Sequence, residues 1–376
     1  MKRHKFFALL MILASGFLFV QCTSDYPEAI QGPPGQDGTN GVDGQDGVSG
    51  TASCVSCHNN TLRSEIEASF AVSLHRIGET WEERGFYFGG TSCSKCHSGP
   101  GYAEFIETGG ITPSPDLAAP MSCNTCHSNH DTFDFENDGP DYALRNTDPS
   151  NLDLAPNISI DFGDASNTCI TCHQPRDSYE IPALNADGTY VINSSRFGPH
   201  HSPQATMLEG VLGAEIPGAE AYPARANATH RTASSCVSCH MGESNVASVG
   251  GHSWVPTDES CLECHTNGVP DELSGYTTDM ATLLSLLQTV EGVAFEVDAE
   301  GDPVFDANGN FIPTDSVVVG IIQAGSEDRT NSGIFSDEAA MAAWNYKTLL
   351  EDQSRGIHNP GYSRALLKNS LEALQN

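Results

Sequence analysis

Six copies of one five-residue pattern carry the chemistry of this sequence. They are Cys54-Val55-Ser56-Cys57-His58, Cys93-Ser94-Lys95-Cys96-His97, Cys123-Asn124-Thr125-Cys126-His127, Cys169-Ile170-Thr171-Cys172-His173, Cys236-Val237-Ser238-Cys239-His240 and Cys261-Leu262-Glu263-Cys264-His265. Two cysteines three residues apart can reach the two vinyl groups on one edge of a porphyrin and form thioethers. The adjacent His then lies under the ring with its imidazole aimed at the iron. Zinc cages also use paired Cys-x-x-Cys elements, and disulfides form in oxidising compartments, but neither requires a His after every second cysteine. The pattern predicts six haem c groups, attached through both cysteines of each motif and ligated by its His.

Each iron has a second axial position, and its occupant decides between electron transfer and catalysis. Besides the motif histidines and His4, seven histidines are present: His75, His130, His200, His201, His230, His252 and His358. Six irons need six distal ligands, so the supply fits with one to spare. Methionine is the competing ligand, and Met121, Met207, Met241, Met280 and Met341 are available, although packing accounts for most of them. The expected distal set is His75, His130, His200, His230, His252 and His358, with His201 competing with His200 for one iron. His130 stands three residues beyond His127, cannot swing to the opposite face of that ring, and should reach a neighbouring iron.

The elements that must position these groups are less regular. A helix from Ile66 to Trp81 would carry His75. Asn185-Ala186-Asp187-Gly188, between Leu184 and Tyr190-Val191-Ile192, reads as a hairpin turn. Thr278 to Val290 has helical periodicity. Phe295–Val297 and Val304-Phe305 flank an acidic turn, and Asp306-Ala307-Asn308-Gly309 makes another. A calcium loop fails there, because Phe311 stands where the EF-hand needs Gly and Val317 where it needs its closing Glu. Ser336 caps a helix running toward Arg355 and ended by Gly356, and Asn359-Pro360 opens a final helix reaching Leu374.

The bulk composition agrees with a chain that borrows apolar mass. Hydrophobic residues make up 38% of 376 residues, with 36 Gly and 21 Pro, so side chains alone would bury little core. The net charge of −32 excludes nucleic-acid binding through phosphate contacts. Residues 1–21 read as an export signal: Lys2, Arg3 and Lys5 precede an apolar stretch from Phe6 to Val20. Cys22 resembles the lipid-modified first residue of mature bacterial lipoproteins, although Gln21 departs from their usual small residue. By the same resemblance, Thr23 and Ser24 in place of Asp favour the outer membrane. Residues 22–52 hold Gly at every third position from Gly32 to Gly50. Only Pro33 and Pro34 stiffen this collagen-like run, so it reads as an extended spacer. The expected hexahaem region is 53–275, and 276–376 is a C-terminal helical segment with a hairpin that supplies a distal His.

Three further stretches resemble the periplasmic and cell-surface multihaem cytochromes, which include pentahaem nitrite reductases and octahaem relatives. One is Gly198-Pro199-His200-His201-Ser202-Pro203-Gln204, where the resemblance implies His200 as the ligand. The second runs from His230 through His240-Met241 and Gly250-Gly251-His252. The third is Gly356-Ile357-His358-Asn359-Pro360-Gly361-Tyr362, where the resemblance implies a distal His358. Nitrite reductases of this group leave one iron open at a motif ending in Lys; all six motifs here end in His. The expected fold is mainly α with extensive loops, a multihaem cytochrome c fold with a haem-stacked core and a few short hairpins. The expected role is electron transfer at the outer membrane or cell surface, toward redox partner proteins or extracellular acceptors. A reductase of nitrogen or sulfur oxyanions at one open haem, and a subunit of a homo-oligomeric cytochrome filament, are the alternatives.

Overall fold

The computed structural model describes residues 54–55, 57–77, 91–114, 119–176 and 178–375. The export signal, Cys22 and the glycine-periodic spacer expected from the sequence lie outside the described residues. Helix α1 (Asn60–Ala71) opens on Asn59, whose Oδ1 accepts from the Leu62 N–H at 2.8 Å, and the single turn α2 (Leu74–Ile77) follows. This corrects the continuous helix expected over Ile66–Trp81. Ser73 Oγ donates to the Phe70 carbonyl at 2.8 Å and accepts from the Arg76 N–H at 3.2 Å, ending one helix and starting the next. His75 therefore stands on a short turn of its own; Trp81 is outside the described residues.

The chain continues through α3 (Thr91–His97), α4 (Gly99–Thr108), α5 (Cys123–Cys126), the short strands β1 (Ser150–Asn151) and β2 (Ser159–Ile160), and α6 (Asn167–Ile170). Next come β3 (Thr189–Ile192), α7 (Gln204–Glu209), α8 (Thr229–Ala233), α9 (Cys236–His240) and α10 (Asp258–Leu262). The C-terminal part holds α11 (Tyr276–Leu287), β4 (Glu291–Phe295), β5 (Pro313–Val319), β6 (Gly333–Ser336), α12 (Asp337–Asp352) and α13 (Pro360–Gln375).

Helices dominate, yet the strands form more than short hairpins. An antiparallel sheet runs β3-β6-β4-β5, with Tyr190 opposite Phe335 and Val293 opposite Val317. The turn at Asn185–Gly188 is present, with the Gly188 N–H donating to the Asn185 carbonyl at 3.2 Å. It does not close a local hairpin, because β3 pairs with β6, far along the chain. Asp337 explains the difference: its carboxylate accepts from the Asn185 N–H at 2.5 Å and from Asn185 Nδ2 at 3.0 Å, docking the turn onto the start of α12. The two acidic turns form hairpins as expected. Asp298 and Asp306 spend their carboxylates on the N–H groups of their own turns, at 2.8–3.0 Å.

Apolar burial concentrates in the C-terminal part. Trp344, Phe335, Leu283, Leu287, Tyr362 and Leu366 join Ile192, Phe197, Met207 and Ile216 in one core. Helix α12 begins on Ser336, which accepts from the Ala339 N–H, and ends at Asp352, short of the expected Arg355. Gln353, Arg355 and Gly356 all adopt left-handed backbone (φ 57°, 54° and 84°), which turns the chain out of the helix before Gly356 is reached. Helix α13 starts at Pro360 with Asn359 as its cap, as expected.

The same helices pin the loop of residues 197–216. Lys347 Nζ donates to the Phe197 carbonyl at 2.6 Å, Trp344 Nε1 to the Leu212 carbonyl at 2.9 Å, and Asn345 exchanges two bonds with Ala214, each of 2.8 Å. That loop carries His200, His201 and Gln204.

Candidate haem-binding sites

Each motif begins as one turn of helix, and its neighbours make it so. The Ser122 N–H donates to Thr125 Oγ1 at 2.9 Å, and the Ser235 N–H to Ser238 Oγ at 2.7 Å, capping the third and fifth motifs. Thr257 Oγ1 accepts from the Ser260 N–H and opens the sixth. In four motifs the His N–H closes the turn on the carbonyl of the first cysteine, at 2.7–3.0 Å for His58, His127, His173 and His265. Residues i and i+3 share a helical face, so both thiols of a motif face one side and the imidazole projects beyond them.

The fold then brings motif histidines and distal candidates together in twos. Ring centroids are 5.9 Å apart for His58 and His130, 6.0 Å for His173 and His75, and 6.2 Å for His127 and His252. They are 6.2 Å apart for His240 and His358 and 6.0 Å for His265 and His230. Two metal–imidazole bonds of about 2 Å, in line, would put ring centroids about 6.2 Å apart. Ordinary aromatic contacts also fall in this range. Packing alone, however, does not match five motif histidines with five different partners, most of them remote in sequence. Among the described residues no three His, Cys, Asp or Glu side chains converge as a zinc cage would need. His130 lies against His58 and not against His127, the cross-pairing its spacing demanded.

His97 is approached by both members of the remaining pair, whose rings are 4.7 Å apart. The two differ in surroundings. His201 is exposed, has a left-handed backbone (φ 40°), and its Nδ1 meets Glu351 Oε2 at 2.8 Å. His200 is half-buried, and burial followed by the charge of Arg176 pushes its pKa down to about 4. Met207, Met280 and Met341 are buried in the apolar core.

Second partners orient the rings. Nδ1 of His127 donates to the Tyr142 carbonyl (2.8 Å), that of His240 to the Trp254 carbonyl (2.8 Å), and that of His230 to the Ile357 carbonyl (2.5 Å). His173 Nδ1 donates to Gln204 Oε1 (3.0 Å), and His358 Nδ1 to Asp352 Oδ1 (2.7 Å). An acceptor on Nδ1 holds the proton there and leaves Nε2 with the lone pair a metal needs. Burial lowers the pKa of His75 to about 4, and it also lowers those of His173, His240 and His252. At His358 burial pulls downward, but the Asp352 carboxylate outweighs it and the net shift is upward. Neutral imidazole is the ligating form.

Several of these residues carried no signal in the sequence. Trp254 touches three sites: its ring is 4.4 Å from that of His75 and 5.4 Å from that of His252, while its carbonyl holds His240. Gln204 reaches His173 and is itself tied to the Glu351 carbonyl at 3.0 Å. Helix α8, which carries His230, is anchored by Arg231 on the buried Glu209. Arg176 is a further case: its Nε is buried and lacks an acceptor among the described residues.

The motif segments also touch one another. Cys96 Sγ lies 3.8 Å from the Thr171 carbonyl and Cys172 Sγ 3.8 Å from the Lys95 carbonyl, so the second and fourth motifs are back to back. The Val237 N–H donates to Ser166 Oγ at 3.0 Å, joining the fourth to the fifth. Apolar side chains left exposed flank these sites, among them Leu74 beside His75 (78% exposed) and Val55 inside the first motif (59%). Paired imidazoles, outward-facing apolar groups and an arginine whose buried Nε lacks an acceptor among the described residues fit a bound haem, whose faces are apolar and whose propionates are anionic.

The chain matches no protein-family profile. Its fold aligns with that of the outer cell wall cytochrome OcwA at a TM-score of 0.46 and 18% identity, covering 82% of this chain and 50% of that one. In sequence it is similar to the C-type polyheme cytochrome OmcB from two strains of Geobacter sulfurreducens, 25% identical over 341 residues. That match covers 75% of this chain and 43% of each relative, so the chain spans less than half their length. Six Cys-x-x-Cys-His motifs, the imidazole pairs they enter and this similarity in sequence identify the chain as a multihaem c-type cytochrome.

Proposed function

We propose that the chain is an electron conduit carrying six haems, each held between two histidines. The pairs are His58 with His130, His97 with His200, His127 with His252, His173 with His75, His240 with His358 and His265 with His230. The observation that carries this reading is the one-to-one matching of imidazoles at 5.9–6.2 Å in five of the pairs. His201, engaged by Glu351, is the spare histidine.

When bound, haem iron supplies one-electron redox chemistry that no side chain here offers. The protein's part is orientation, insulation and tuning. Cysteine pairs fix each ring's edge, acceptors on Nδ1 fix imidazole planes, and burial favours the neutral form of His75, His173, His240 and His252. Contacts between the second, fourth and fifth motifs set those sites side by side, and Trp254 sets the fourth beside the third. No group in this scheme acts as a general acid or base, which separates it from oxyanion reduction at an open iron. Export, lipidation of Cys22 and placement at the outer membrane or cell surface belong to the same proposal, with redox proteins or extracellular acceptors as partners.

Electron paramagnetic resonance of the oxidised protein tests the ligation. Low-spin ferric signals alone are expected. A substantial high-spin signal would mean an open iron and would transfer the case to a reductase. Mass spectrometry of the mature chain should show the added weight of six haems.

A further inference from the structure

Two charged groups stand near the linked second, fourth and fifth sites. Asp352 is 2% exposed, and its Oδ1 accepts the Nδ1–H of His358 at 2.7 Å. Its Oδ2 accepts from Ser354 Oγ, which holds the carboxylate in place. The ring partners of His173 and His240 are neutral, Gln204 and the Trp254 carbonyl respectively. Arg176 is the opposite case. In a chain of net charge −32, its buried Nε lacks an acceptor among the described residues. The nearby charges at that end are already engaged, Lys95 with Asp153 at 2.7 Å and Glu351 with His201 at 2.8 Å. The Arg176 charge acts on His97, His200 and Cys96, all at the second site.

A carboxylate accepting from a ligand's far nitrogen pushes electron density onto the metal-facing nitrogen and favours the ferric state. A guanidinium cannot lose its proton and favours the added electron, directly or by neutralising a haem propionate. The sites are contiguous: the fourth motif touches the fifth through Ser166 and Val237, and the second through Cys172 and Cys96.

We propose that Asp352 and Arg176 build a slope of reduction potential into these three sites, lowest at His240/His358 and highest at His97/His200, with His173/His75 between. Electrons entering this stretch therefore run from the fifth site through the fourth to the second. Asp352 and Arg176 are positioning and tuning residues that act through the ligands. The inference rests on the bis-histidine reading above.

The test is potentiometric titration of the full haem-loaded protein, followed by visible absorption and by the loss of individual low-spin ferric signals. Asp352→Asn should raise the potential of the His240/His358 site, and Arg176→Gln should lower that of the His97/His200 site. Each shift should be at least tenfold in the equilibrium of one haem, or about 59 mV for a one-electron couple. Asp352→Glu and Arg176→Lys keep the charge and should restore most of each shift, so a loss of fold cannot imitate the result. Variants that leave both potentials where they were, or that move them in the opposite directions, overturn the slope. In the unsubstituted protein the slope also requires that the ferric signal Asp352→Asn alters vanishes after the one Arg176→Gln alters; the reverse order overturns it. A high-spin signal or fewer than six haems before substitution would instead overturn the ligation reading.

Discussion

The motif-bearing stretch around residues 54–176 and the C-terminal body around α11, α12 and α13 are held together by different physics. In the C-terminal body, α12 buries nearly its whole length, and Trp344, Ala340, Ala342 and Leu349 are at most 1% exposed. The motif stretch has a small cluster of Leu152, Ile160 and Ile170, while Val72, Leu74, Ile77 and Phe133 are 48–78% exposed. One region folds by burying its own side chains; the other offers apolar surface and paired imidazoles to something it does not encode. Residues 351–358 tie the C-terminal body to the candidate ligands and, through Gln204, to His173 of the motif stretch. There Glu351 holds His201, Asp352 holds His358, the Glu351 carbonyl holds Gln204, and the Ile357 carbonyl holds His230. The self-sufficient region thus lends its rigidity to the dependent one.

The largest test of this contrast is to withhold haem. The haem-free chain should give no native-like cooperative melt, with residual amide protection confined to α12 and α13. Protection of α1 or α5 equal to that in the loaded protein, by hydrogen exchange, would erase the distinction. Next in size is Trp344→Ala, which empties the C-terminal core and should cost about 3–5 kcal/mol in denaturant unfolding, with haem content unchanged. A loss under about 1 kcal/mol would mean that this body, too, leans on the cofactors.

The junction can be probed through Gly356. An added Cβ would stand 2.9 Å from Leu273 Cβ on a backbone at φ 84°. Gly356→Ala should therefore cost about 1–3 kcal/mol and broaden the signals of the fifth and sixth sites, leaving the first unchanged. Trp254 separates ring from backbone: it sits at φ 55°, which costs a bulky residue about 1–2 kcal/mol. Trp254→Gly should recover part of that strain while altering the low-spin signals of the His75 and His252 sites. Trp254→Phe should keep those signals nearer the original. The smallest effect is expected on the exposed face of α1, where Glu67→Gln breaks the surface pair with Arg63. Denaturant unfolding should show no measurable change there, because the pair is solvent-screened.

Much of this was legible from residue order, and the boundary is physical. The final helix was readable from Asn359-Pro360, and the start of α12 from Ser336, because caps are local. The end of α12 was misplaced because Gln353 and Arg355, residues with no preference for left-handed backbone, adopt it under tertiary constraint. The hairpin at Asn185 was misassigned because a distant carboxylate, Asp337, captured the turn. His75 is legible as a candidate ligand, but the interruption of its helix at Ser73 is not. Trp254, Arg176 and Asp352 left no pattern at all.

The sequence by itself determined where each cysteine pair stands relative to its histidine, because one turn of capped helix sets that geometry within five residues. It also determined that enough imidazoles exist to face every motif. Only the tertiary structure decided which distant histidine meets which motif, which nitrogen carries the proton, and where a buried carboxylate and a buried guanidinium lie. Such contacts span 127 residues of chain between His230 and Ile357 and 150 between His201 and Glu351, and no local spacing rule reaches that far.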